Sequence, residues 1–268
     1  MKLVALTRKV RAPEQAAARL AAVTEGTLAE ARVRLAPEPP AILGWFADER
    51  ADAIVAALRD AGESALAIDA RVPTDDDRLV ARTLAFDDEG GTFVAAGGAT
   101  MRLAWSDVCA VLRGATSSRT ETEHTSRERK LSLGSAVMTG GMKWSTTTER
   151  TSKTTEETTV QAIFVCARDG RVAVVRERGF DFTCMGAALQ PSRTANMTTL
   201  VGWLAARARG AVHDDRLLRL GRRPMPLLGA SETVAGTSQQ TTRTAATTTT
   251  LDVLVAFAHA ATLEGLFP

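Results

Sequence analysis

The chain has 268 residues, 45% of them hydrophobic and 24% charged, with a formal net charge of +2 at neutral pH. That is enough apolar material for one or two domains with real cores, and too little net charge for a nucleic-acid surface. No run of about 18 apolar residues is present to span a bilayer, and the first residues lack the apolar segment of a signal peptide. Cys109, Cys166 and Cys184 are odd in number and widely spaced, which argues against both a disulfide framework and a zinc ribbon. The expected setting is a reduced cytoplasm, with attachment to a membrane surface left open.

In chain order, Leu3 to Thr7 reads as a first strand, and Pro13 opens a helix through Val23 that Gly26 ends. Leu28 to Leu35 restarts as a second helix. Pro37, Pro39 and Pro40 then force an extended chain, and Ala41 to Phe46 reads as a strand. Asp48 is placed to cap a third helix in which Ala51, Ile54, Leu58 and Ala61 recur at helical spacing, closed by Gly62; Ala65 to Ile68 is the last strand. The reading packs that helix face against Leu3, Leu43 and Leu66.

This order and its residues resemble the C-terminal domain of the bacterial ribosomal stalk protein. The likeness rests on Gly26, Leu28, Glu30 and Ala31, on Ala36-Pro37, and on Ala51, Ile54, Leu58, Ala61 and Gly62. The adaptor that presents N-degron substrates to a bacterial AAA+ protease has a similar fold. The family's lysine-rich docking helix is here Ala16-Ala-Ala-Arg19, so the resemblance, over about the first quarter of the chain, implies a fold for residues 1 to 70 and no activity.

Residues 71 to 77 form a polar linker, after which strand signals begin. Leu79 to Phe86, Thr92 to Ala96 and Met101 to Trp105 are separated by the turns Asp87 to Gly91 and Gly97-Gly98, and Val108 to Arg113 continues as a fourth antiparallel strand. Val160 to Ala167 and Arg171 to Arg178 pair across Arg168-Asp-Gly170. A helix with Met197, Leu200, Val201 and Leu204 at helical spacing closes the domain, 78 to 230. Leu103, Trp105, Asp107, Val108 and Val111, with Asn196 and Leu200 in the helix, look like a pleckstrin-homology-like or GRAM-like half-barrel. That resemblance implies lipid, peptide or protein binding; the acidic turn Asp87-Asp-Glu89 counts against phosphoinositides. The fold class expected is α+β: a small α/β sandwich, then an antiparallel PH-like half-barrel with a long inserted hairpin and a C-terminal helix.

The hairpin, residues 116 to 160, is where the chain departs from an ordinary domain. Its arms are rich in Thr, Ser, Glu, Arg and Lys, and β-branched threonine disfavours a coiled coil. Fifteen such residues reach about 50 Å as a strand. The arms meet at an apolar tip with Leu131, Leu133, Val137, Met138, Met142, Lys143 and Trp144. Three uses are open: contact with a second copy or a partner protein, a wedge in a membrane surface, and a fold-back onto its own domain. Residues 231 to 250 are low in complexity and read as a Thr-rich linker or disordered spacer. Residues 251 to 268 read as an apolar helix, with Leu254, Phe257 and Phe267 as contact residues beside the tip.

Chemistry is sparse. His213-Asp214-Asp215 puts an imidazole beside carboxylates, but a metal or base role needs another ligand such as His124 or Glu123, and the plainer reading is a solvated turn. His259 sits on an apolar helix, the cysteines read as buried small hydrophobes, and the paired glycines precede no helix. The expectation is a non-enzymatic binding or scaffold protein, with no catalytic residue, cofactor or metal, that self-associates or binds a protein through the hairpin and terminal helix. A peripheral membrane protein comes next and an enzyme third.

Overall fold

The computed structural model of the chain describes residues 1–69, 71, 73–131, 145–222, 233–237, 240–246 and 248–267. The class is α+β. Residues divide into two compact units: a body of 1–116, 160–229 and 247–268, and a strand unit of 117–159 and 230–246.

The body begins with β1 (Lys2–Leu6), α1 (Pro13–Thr24), α2 (Leu28–Leu35), β2 (Ala41–Phe46), α3 (Asp48–Asp60) and β3 (Ala65–Asp69), in the order the sequence suggests. The strands form a three-stranded antiparallel sheet, β2-β1-β3. Pro13 begins α1, but the left-handed residue that ends it is Glu25 at φ 54°, ahead of Gly26. A capping box between Thr27 and Glu30 restarts the helix as α2. Asp48 lies inside α3, not at its cap, and accepts an ion pair from the N-terminal ammonium at 2.8 Å.

Successive residues of β1 face opposite ways, and each face has its own cover. Val4 and Leu6 pack with Leu20, Leu35, Leu43, Ile54 and Leu58 under the three helices. Leu3 and Ala5, with Ile42 and Leu66, pack on the other side against α5 (Thr248–Leu263). Leu3 and Leu66 therefore do not meet the α3 face assigned to them, whereas Leu43 does. Residues 1 to 70 alone would leave Leu3, Ala5, Ile42 and Leu66 bare.

The second sheet of the body has β4 (Leu79–Phe86), β5 (Gly90–Ala95), β6 (Thr100–Ala104), β7 (Val108–Leu131), β8 (Ser145–Ala167), β9 (Val172–Arg176) and β10 (Val212–Asp214). β4, β5 and β6 form the expected meander, yet β7 does not continue beside β6. The order runs β7-β8-β9-β4-β5-β6, with β9 and β4 parallel and β10 added parallel to β7. The turn at Trp105 to Asp107 redirects the chain: the Trp105 amide donates to the Glu89 carbonyl at 2.9 Å and the Arg168 amide to the Asp107 carbonyl at 2.9 Å.

Residues 162 to 167 of β8 are buried on both faces. Ile163, Val165 and Ala167 join Phe93, Leu103, Trp105, Met197, Leu200 and Leu204 under α4 (Arg193–Arg207). Ala162, Phe164 and Cys166 join Leu112, Val174 and the apolar residues of α5. Helix α5 is thus a shared core element, packed with one face of each sheet. Gly114 of β7 makes room for it: a Cβ there would collide with Leu251. Leu254, Phe257 and Phe267, expected as contact residues, have 0%, 0% and 6% of their surface exposed inside their own chain. A helix this apolar, flanked by two sheet faces with uncovered hydrophobes, gains more by filling that layer than by waiting for a partner.

Candidate interaction surface

Two places were candidates for chemistry, and both are occupied by the protein's own groups. His213 and Asp214 lie not in a turn but on the strand β10, in register with Val111 and Leu112 of β7, and His213 and Asp215 are exposed. A His213 ring nitrogen lies 3.2 Å from the Ala208 carbonyl, and the Asp214 carboxylate accepts from the Arg216 amide and guanidinium at 2.7 Å each. His124 and Glu123 belong to the other unit. Among the described residues no group of three His, Cys, Asp or Glu side chains is placed to hold a metal ion.

The other place is a cleft of about 290 Å³ beside α5, lined by Pro73, Arg78, Val172, Asp252, His259 and Leu263 among others. Arg78 is buried, and its guanidinium pairs with Asp252 at 2.8 Å and Asp75 at 3.2 Å. Asp75 in turn takes two bonds from Arg176, at 2.6 and 2.9 Å. Burial opposes charge on Arg78, but Asp252 and Asp75 outweigh it and raise its pKa; burial likewise opposes ionisation of Asp75, and Arg176 and Arg78 hold its carboxyl below the usual range. Each charge is met by a neighbour, so the chain of ions pins the segment before β4 to α5 and offers no bare charge to a ligand. Sequence reading missed it because Arg78 and Asp252 are far apart along the chain.

His259 lines the same cleft, with a ring nitrogen 2.9 Å from the Ala167 carbonyl. Burial lowers its pKa, opposed by that bond and by Asp169; Asp77, Arg78 and Asp252 are the charged groups lining the cleft. The unfolded chain takes up the proton first, so the stability from the neutral buried ring is complete above about pH 6.5 and falls as pH drops below it. Thermal melts between pH 7 and 5 should show that loss, and His259→Gln should flatten it.

The cysteines offer no thiolate. Burial raises the pKa of Cys109, Cys166 and Cys184, and Cys109 Sγ donates to the Cys166 carbonyl at 3.3 Å.

The strand unit is different in kind. Its described part is built from residues 117–131 of β7 and 145–159 of β8, together with β11 (Thr233–Thr237) and β12 (Gln240–Ala246). The tract read as a Thr-rich linker is therefore a hairpin of two strands. β12 pairs antiparallel with β7, Gln240 with His124 through Ala246 with Ser118, and β11 pairs on the far side of β12. Threonine suits a strand once a neighbouring edge is there to pair with, and the local reading could not see β7 as that edge. In register, Thr242 stands opposite Thr122, Thr244 opposite Thr120 and Arg243 opposite Glu121. The strand order is β11-β12-β7-β8. Among the described residues, β11 and residues 145 to 159 of β8 have no strand on their outer side.

Leu131 closes β7. The tip residues Leu133, Val137, Met138, Met142, Lys143 and Trp144 lie outside the described residues. No helix of the described residues is long and apolar enough to cross a membrane. Compared with known proteins, the chain matches no family model, no curated protein and no solved structure.

Proposed function

We propose that the chain is a non-enzymatic binding or scaffold protein whose contact element is the Thr-rich strand unit, 117–159 with 230–246, and whose first partner is another copy of itself. One observation carries the reading: the apolar residues of α5 are covered within the body, while among the described residues the strand unit has outer strands with no strand paired beyond them. Such edges are ready to pair with another chain. The neutralised ion chain and the engaged His213 and Asp214 support a role without catalysis.

Sedimentation velocity of the full chain without lipid tests it. The expected result is a concentration-dependent dimer or larger species. A monomer that floats with anionic liposomes, with Trp144 emission shifted to the blue, would move the contact to the hairpin tip. A monomer indifferent to liposomes would contradict the association reading.

A further inference from the structure

A sheet edge invites pairing unless something guards it, and proteins guard edges with charges, prolines, bulges, short length or a cover. The edges of this chain can be taken one by one among the described residues. β2 carries a register shift against Val4 and Ala5 and follows Pro39-Pro40. At β3 the Arg59 side chain donates to the Ala65 carbonyl at 3.0 Å, and at β6 Arg171 donates to the Arg102 carbonyl at 3.0 Å. β10 has three residues. The outer stretch of β8 contains Glu149, Arg150, Lys153, Glu156 and Glu157. β11 is Thr-Val-Ala-Gly-Thr, without charge, proline or register shift.

We infer that β11 is the contact strand and that its occupant is β11 of a second copy, antiparallel about a two-fold axis near Ala235. This deepens the association reading above and rests on it. The strand is complementary to itself. Antiparallel pairing about Ala235 sets Thr233 opposite Thr237 of the second copy and Val234 opposite Gly236, all uncharged residues. No like charges meet within the paired strands. Alternate residues of β11 turn their amides and carbonyls away from β12, so the pairing satisfies groups that no described strand of the chain pairs with. A two-fold joint of this kind closes on itself and gives a dimer, not a fibre.

The test uses the full chain. Ala235→Lys sets two ammonium groups together at the axis and should abolish the dimer, while Ala235→Ser should keep it. Single cysteines at Val234, Ala235 and Gly236 provide a second readout, independent of whether the lysine variant folds. One of the three should give an oxidised, reducible dimer, with the wild-type chain, whose own cysteines are buried or half-buried, as the blank. A wild-type dimer that survives Ala235→Lys and is cross-linked by none of the three cysteines would overturn the β11 assignment and leave association through the strand unit standing. A wild-type monomer would overturn both.

Discussion

Replacing Phe257 with alanine should lower stability by about 3–5 kcal/mol, the range for a fully buried phenylalanine whose neighbours cannot close the gap. The ring is fully buried in the layer where α5 packs with Leu3, Ala5, Ile42 and Leu66 of one sheet and Leu112, Phe164 and Val174 of the other. A small domain holds only about 5–15 kcal/mol in all. The loss therefore falls on both sheets together, and denaturant melts followed at Trp45 and Trp105 should shift as one transition. An equivalent truncation on the helix side of the first sheet, Leu58→Ala, should cost about 2–5 kcal/mol.

Asp252→Ala should be comparably severe, about 3–5 kcal/mol, for a different reason. It leaves Arg78, 4% exposed at its side chain, with Asp75 alone as its carboxylate, and Asp75 is itself shared with Arg176. The guanidinium also lies 5.7 Å from the Phe164 ring, within the same layer. The penalty comes from the charge left behind, not from the worth of the pair. Arg78→Met combined with Asp252→Leu should therefore recover most of the loss, and denaturant midpoints of the single and double variants measure it.

How far the sequence was legible depends on the range of the interactions involved. The elements of residues 1 to 69 could be read because Pro13, Pro37, Gly62 and the spacing of Ile54 and Leu58 act within a few residues. The β4-β5-β6 meander could be read from its own turns. What could not be read is long-range. The parallel β4/β9 pair joins strands separated by the whole hairpin. The two faces of β1 are alike in composition, so nothing local says that Leu3 faces α5 while Val4 faces α1 to α3. The Thr-rich tract lacks the apolar alternation that marks a half-buried strand, and its strand β12 forms through pairing with β7. The terminal helix is apolar nearly all round, which says that it is buried but not by what.

The proposed function rests on a body that buries the terminal helix α5 in its own core and leaves contact to the strand unit. Hydrogen exchange of the full chain, compared between dilute and concentrated solution, tests it most directly. Added protection at high concentration is expected within 117–159 and 230–246, strongest across β11, with exchange in α5 unchanged. Added protection in α5 or across α1 to α3, with none in the strand unit, would contradict it.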